Sequence, residues 1–399
     1  MALTLSKKAM AVKPSSTLAI TAKAKEMKAN GIDVVGFGAG EPDFNTPKNI
    51  CDAAKKALDE GFTKYTPVPG ILELRKAVCD KFLKFNNIKY EPDQIVVSNG
   101  GKHSLANVFS AILNPGDEVI IPAPYWLSYP EMVRLADGVP VFIRADKSQN
   151  YKVTAKQIEE ACTEKTKALV LNSPNNPSGM VYTKEELEAI AEVAVKKNFY
   201  VVSDEMYEYL IYGDEKHISI ASLNDEIYKR TITCSGLSKS YSMTGWRIGY
   251  TGSSKEIAKL MSSVQSHLAS NPNSIAQKAA YEALTGPQDS VREMRNEFEK
   301  RRDYMYDRIE GMKHISAVMP QGAFYMFVDI SEVLDKSYKG QKIGDVGNMA
   351  KLLLENYRVA VIPCNDFGFD DHIRLSYAIS LEQIKKGLDR IESFLEDLS

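Results

Sequence analysis

Short apolar runs alternate with amphipathic stretches through the middle of the chain. Residues 168–172 form a compact run ending at Asn172, the length of a buried strand. Thr183-Lys184-Glu185-Glu186 then has the form of a capping box, in which the Thr hydroxyl and the Glu carboxylate each satisfy an orphan amide at a helix start. Leu187, Ile190, Ala191 and Ala194 recur at helical spacing before residues 199–203 return to a strand pattern. Strand, helix, strand in that order is a βαβ unit, and such units build a mostly parallel sheet covered by helices. Residues 95–98, 118–122, 139–143, 231–234 and 248–251 supply the other strands.

Residues 254–267 and 286–311 read as helices. The second is long and charge-rich, with Val291, Met294, Phe298 and Met305 along one side, as suits a bridge from the sheet into the C-terminal part. There, 322–328 and 372–377 read as strands and 381–395 as a closing helix. The predicted fold class is α/β: a large domain with a seven-stranded, mostly parallel sheet under helices, plus a smaller α+β domain. A chain of 399 residues suits that division. The large domain is expected at residues 46–290. Residues 1–45 form an N-terminal arm and part of the small domain, which 291–399 complete.

Composition narrows the function classes. A net charge of −2 leaves no basic face for nucleic acid, and no apolar stretch reaches membrane-spanning length. The charged start has no long apolar run after it, so no secretory signal is expected and the cytoplasm is the predicted location. The five cysteines are scattered and never at C-x-x-C spacing, and the five histidines are equally dispersed, which argues against a disulfide framework or a zinc site.

The chemistry gathers just after predicted strands, where open α/β sheets bind ligands. Lys239 lies among small and polar residues between the runs 231–234 and 248–251, with Arg247 eight positions later. A lysine there can form an imine with an aldehyde and the arginine can hold an anion, which together suit pyridoxal 5'-phosphate. Asn99-Gly100-Gly101-Lys102 follows a strand and opens a helix near His103, so backbone amides and the helix start favour a phosphate. Lys102 opposes the helix macrodipole there unless an anion is bound. Asp204 suits the pyridine nitrogen, Tyr207 and Asn176 the phenolic oxygen, and Trp126 a stacking contact on the ring. Arg374, between apolar residues in a strand, has the fork for a carboxylate. Each also has an ordinary reading: Lys239 solvated, Gly100–Gly101 a plain turn, Asp204 an N-cap, Asn176 a turn residue, Trp126 core, Arg374 in an internal salt bridge.

In combination these residues resemble the class I pyridoxal-phosphate aminotransferases of fold type I. Ala39-Gly40-Glu41-Pro42-Asp43-Phe44, Lys64-Tyr65-Thr66-Pro67, Asn175-Asn176-Pro177-Ser178-Gly179, Ser203-Asp204-Glu205, the Lys239 segment, Gly322-Ala323-Phe324-Tyr325 and Ile373-Arg374-Leu375-Ser376 stand in family order nearly end to end. Pro124-Tyr125-Trp126 and Met243-Thr244-Gly245-Trp246-Arg247 make the chain similar to bacterial aspartate aminotransferases of the I-beta subgroup. The resemblance implies that Lys239 carries the cofactor imine, with Asp204, Tyr207 and Asn176 around the ring. It puts Arg247, Ser238, the Gly101–Lys102 turn and Tyr65 at the phosphate, Tyr65 arriving from the second subunit of a homodimer with shared active sites. Arg374, helped by the Gly40 backbone, would hold the substrate α-carboxylate.

Two departures bear on this. Gly236 stands where animal and enteric relatives carry a phosphate-touching serine, which removes one contact. The region 266–277 lacks the arginine those relatives use for a distal carboxylate; Lys102 matches the lysine of the I-beta subgroup instead. The resemblance thus implies ping-pong transamination between L-aspartate and 2-oxoglutarate, with amino acids and 2-oxo acids as the partners. Lys13 is similar to members that accept aromatic amino acids or prephenate, the alternative substrates. A non-catalytic regulator would need a DNA-binding module in front, and no basic module precedes the fold.

Overall fold

The Thr183 capping box forms: Thr183 Oγ1 accepts from the Glu186 amide at 3.3 Å, and the Glu186 carboxylate accepts from the Thr183 amide at 2.8 Å. It opens helix Lys184–Lys197, which buries Leu187, Ile190, Ala191 and Ala194. In the computed structural model, which describes residues 3–12 and 16–399, this helix covers a seven-stranded sheet. Its strands are β1 (Ile95–Ser98), β2 (Glu118–Ala123), β3 (Val139–Arg144), β4 (Thr166–Asn172), β5 (Tyr200–Asp204), β6 (Thr231–Gly236) and β7 (Gly249–Gly252). They lie in the order β1-β7-β6-β5-β4-β2-β3. Only β7 runs against the rest, pairing antiparallel with β1 and β6. Six strands therefore end at one edge of the sheet, and β7 begins there. The loops after β1, β2, β4, β5 and β6 and the loop before β7 all open on that edge.

A second sheet has the order Ile362–Pro363, His372–Ser376, Tyr325–Asp329, Ser316–Ala317, antiparallel throughout. Helix Leu381–Glu396 packs on its core through Ile384, Leu388, Ile391 and Phe394. The N-terminal stretch joins this lobe: Val35–Gly36 pairs in parallel with Val359–Ala360, and Val35 and Phe37 are buried in the same core. Helix Asp289–Glu310 bridges the lobes, as its apolar stripe predicts. Val291 packs with residues of β1 and β7, whereas Met294, Phe298, Met305 and Ile309 pack under the second sheet.

Element starts shift by up to three residues from the pattern reading. The helix after β1 begins at Gly101, because Gly100 turns the chain at φ 90°. The bridging helix begins at Asp289. The strand expected from 322 begins at Tyr325: Ala323 sits at φ 60°, and the Gly322 amide is spent on the Gly179 carbonyl at 2.8 Å.

Candidate active site

The shared edge collects the predicted residues. Every named site residue except Tyr65 lines one cleft of about 610 Å³, between the edge of the large sheet and the second lobe. Gly101 and Lys102 start the helix after β1, Trp126 follows β2, Asn176 follows β4, Asp204 ends β5, Ser238 and Lys239 follow β6, and Arg247 precedes β7. Gly40 and Arg374 enter from the other lobe. Tyr65 is 91 % exposed and outside the cleft of its own chain.

Lys239 projects into the cleft and its Nζ donates to the Gly40 carbonyl. Desolvation, with the Arg374 charge in second place, lowers its pKa to about 8. Asp204 is buried and accepts from the Tyr129 hydroxyl at 2.5 Å and from the Met206 amide at 3.2 Å. Burial pushes its carboxyl up to about 6, although both hydrogen bonds oppose the shift. The Tyr207 hydroxyl lies 3.0 Å from that of Tyr325, and burial raises the Tyr207 pKa.

Arg374 is 3 % exposed, yet it meets no carboxylate among the described residues. It donates to Asn176 Oδ1 at 3.0 Å and stacks 4.2 Å from the Tyr325 ring centre, and its Nε has no partner. The internal salt bridge is thereby excluded among the described residues, and a buried guanidinium is left facing the cleft. Arg247 donates to the Thr244 carbonyl at 2.8 Å and lies on the helix start: a Cβ on Gly100 would stand 2.5 Å from its Nη2. Lys102 holds its Nζ 4.9 Å from the centre of the half-buried Trp126 ring. Partial desolvation and then the like charge of Arg247 lower its pKa.

Tyr129 escaped the sequence reading, and Tyr325 entered it only within a motif, with no role at the site. Tyr129 follows Trp126 by one helical turn and meets it edge-on at 5.3 Å. That aromatic spacing after a strand is the available signal. Also unforeseen is the buried cluster behind Asp204. Asn86 donates to Glu205 at 2.9 Å and to Glu208 at 2.7 Å, Lys81 pairs with Glu208, and His217 lies 2.8 Å from Glu205. Glu205 and Glu208 flank Tyr207, so their bonds hold the turn that aims it. Their ligand atoms and that of His217 lie within 4.8 Å of one another, but Lys81 already supplies the balancing cation.

A lysine with a lowered pKa, a buried acid and a cationic helix start on one edge make up the donor set for pyridoxal phosphate. These features define an enzyme of the pyridoxal-phosphate class. The family profile "Aminotransferase class I and II" matches residues 32–391. An aspartate aminotransferase from Bacillus sp. (strain YM-2) is 52 % identical over 383 residues, covering 96 % of this chain and 97 % of the relative. An aspartate/prephenate aminotransferase from Cereibacter sphaeroides (strain ATCC 17029 / ATH 2.4.9) is 48 % identical over 390 residues, covering 97 % and 98 %. The crystal structure of an aspartate aminotransferase from Rhizobium meliloti superposes with a TM-score of 0.96 at 40 % identity, covering all of both chains. The chain belongs to the class I and II aminotransferase family, and it is a pyridoxal-phosphate-dependent aminotransferase.

The lowered pKa of Lys239 has a measurable consequence. An amine must be neutral to attack an aldehyde, and about a tenth of a group with a pKa near 8 is neutral at pH 7. Reconstitution of the apoenzyme, followed by visible absorbance, is expected to accelerate with rising pH and level off above about 8. A rate still climbing tenfold per unit at pH 9 contradicts the assignment of Lys239.

Proposed function

We propose that this enzyme transfers the amino group between L-aspartate and 2-oxoglutarate in a ping-pong cycle. The observation that carries the reading is Arg374, a buried guanidinium with a free Nε and no carboxylate partner among the described residues, in the same cleft as the cationic Lys102. Bound cofactor supplies an electron-withdrawing ring that stabilises a carbanion at the substrate Cα. Arg374 and the Gly40 backbone hold the α-carboxylate, and Lys102 holds the distal carboxylate, so that binding energy becomes orientation. Lys239 Nζ takes the Cα proton, and its lowered pKa leaves it a usable base near neutral pH. With the cofactor bound, Asp204 would hold a proton on its ring nitrogen, Tyr207 and Asn176 would meet its phenolic oxygen, and Trp126 would cover its ring. Gly101, Lys102, Ser238 and Arg247 would hold its phosphate.

The exposed Tyr65 supports a homodimer in which Tyr65 of the partner subunit reaches the phosphate. The helix that joins both cores supports a lobe boundary near residue 290; Ala24, Met27, Val34, Val35 and Phe37 pack with the C-terminal lobe, whereas Lys8 reaches Asp137 and the Leu135 carbonyl of the large one. No helix among the described residues is long and apolar enough to cross a membrane, and a cytoplasmic location fits the proposed reaction.

Lys102→Ala tests the substrate. KM for aspartate is expected to rise about tenfold, and KM for an aromatic amino acid by less than twofold. Equal effects on both remove Lys102 as the distal clamp. The Cereibacter relative's printed name supports a second reading, in which prephenate is also an amino acceptor. The same assay with prephenate as acceptor decides it. Lys13, the residue that suggested the wider range, lies outside the described residues.

A further inference from the structure

His372 sits two residues before Arg374 on the same strand and is 4 % exposed. Its Nδ1 lies 2.7 Å from Asp371 Oδ1, and its Nε2 lies 2.9 Å from the Tyr151 hydroxyl. Burial raises the Tyr151 pKa, so the phenol keeps its proton. Burial also lowers the His372 pKa, against the opposing pull of Asp371 and Asp329 and with help from Arg144, so the ring is neutral. The proton order follows: Tyr151 donates to Nε2, and Nδ1–H donates to Asp371.

Tyr151 reaches this ring from the other lobe, out of the connection between β3 and β4. It does so at φ 55°, directly after Asn150 at φ 50°. A bulky side chain in the left-handed region is strained, and such strain persists only where the surroundings enforce it. Tyr151 packs edge-on to Phe327 at 4.9 Å, and His372 stacks on the same ring at 4.4 Å. Phe327 is the cross-strand partner of Arg374. Arg144, the last residue of β3, adds a second contact across the seam, 3.6 Å from Asp371 and 3.9 Å from the Phe369 ring centre.

We propose that Tyr151, His372 and Asp371 form a positioning relay between the lobes that fixes the strand carrying Arg374 and so sets affinity for the substrate carboxylate. Without it, the strand keeps its own sheet partners and the ring packing but loses its hydrogen-bonded tie to the loop after β3. The Arg374 bond to Asn176, which itself crosses between the lobes, then loosens. The relay touches neither substrate nor cofactor, and it rests on the reading of Arg374 as the α-carboxylate clamp.

Tyr151→Phe keeps the ring packing and removes only the hydroxyl. In the holoenzyme, the dissociation constant of maleate, a non-reacting dicarboxylate, is expected to rise about three- to tenfold by calorimetry. KM for aspartate should follow, with kcat within twofold and the visible spectrum of the bound cofactor, with its pH titration, unchanged. His372→Gln, which keeps an acceptor for Tyr151, should cost less than Tyr151→Phe, and the double variant should be no worse than the more damaging single one. A maleate affinity within twofold of the parent in Tyr151→Phe, with only the melting temperature lowered, overturns the relay. Additive losses in the double variant overturn it as well. Arg374→Ala serves as the control: if it leaves maleate affinity intact, the clamp reading has failed, whatever Tyr151→Phe does.

Discussion

Replacing Lys239 with alanine is expected to lower turnover by roughly 10⁴-fold or more, because one side chain is asked both to anchor the cofactor and to move the Cα proton. The structure makes substitution from nearby groups difficult. The Lys102 ammonium is directed over Trp126, and Arg374 and Arg247 are engaged with Asn176 Oδ1 and the Thr244 carbonyl. Steady-state turnover with aspartate and 2-oxoglutarate gives the rate, and loss of the imine absorbance band reports the missing link directly. Added methylamine offers a neutral amine without the tether, and partial recovery of rate is the signature of a missing base. A variant with parental turnover would move the chemistry to another residue.

Asp204→Asn is expected to act in opposite directions on activity and on apoenzyme stability. Burial lifts the Asp204 carboxyl from 3.8 in the unfolded chain to about 6. The folded apoenzyme therefore binds the proton more tightly than the unfolded chain does. Above pH 6 the charge is buried in the fold at a cost on the order of 3 kcal/mol, and the cost fades as the pH falls toward 4. The amide oxygen keeps an acceptor for the Tyr129 hydroxyl and the side chain carries no charge, at the cost of the weaker 3.2 Å bond from the Met206 amide. At pH 7.5 the variant apoenzyme should melt higher than the parent, and the two should converge near pH 4. Turnover should fall by roughly 10²–10³-fold, since the charge that holds a proton on the ring nitrogen is gone. Scanning calorimetry across that pH range separates the two effects. A variant apoenzyme less stable than the parent at pH 7.5 would mean that Asp204 serves the fold rather than the reaction.

Most of the large sheet was legible because its strands, the exposed edge strand β3 apart, run buried over short spans, and some helices carry their own start signal. The Thr183 capping box and the apolar stripe from Val291 to Met305 are local facts, and local facts survive folding. The site was legible to the extent that it sits after strand ends, where Lys239, Asp204 and Asn176 stand out as polar residues beside apolar runs. The roles of Tyr129 and Tyr325 were hidden because an aromatic residue near an apolar run reads as core. Only the fold brings Tyr129 onto Asp204, 75 positions away, and Tyr325 onto Tyr207, 118 positions away. The start of the strand at Tyr325 was missed for a related reason. The Gly322 amide is committed to Gly179, a partner no window of sequence contains. Tyr65 lies outside the cleft of its own chain.

The pairing of Val35–Gly36 with Val359–Ala360 has a consequence for how the chain is born. The first strand of the second lobe leaves the ribosome about 320 residues before its partner exists. At roughly 5–20 residues per second, that is a wait of some tens of seconds. Throughout it, Val35 and Phe37, both fully buried in the finished core, have no core to enter. The large sheet can close meanwhile, since its strands all lie between Ile95 and Gly252. The lobe that supplies Arg374 is then the later of the two to form, and the clamp appears only after the large sheet has been made.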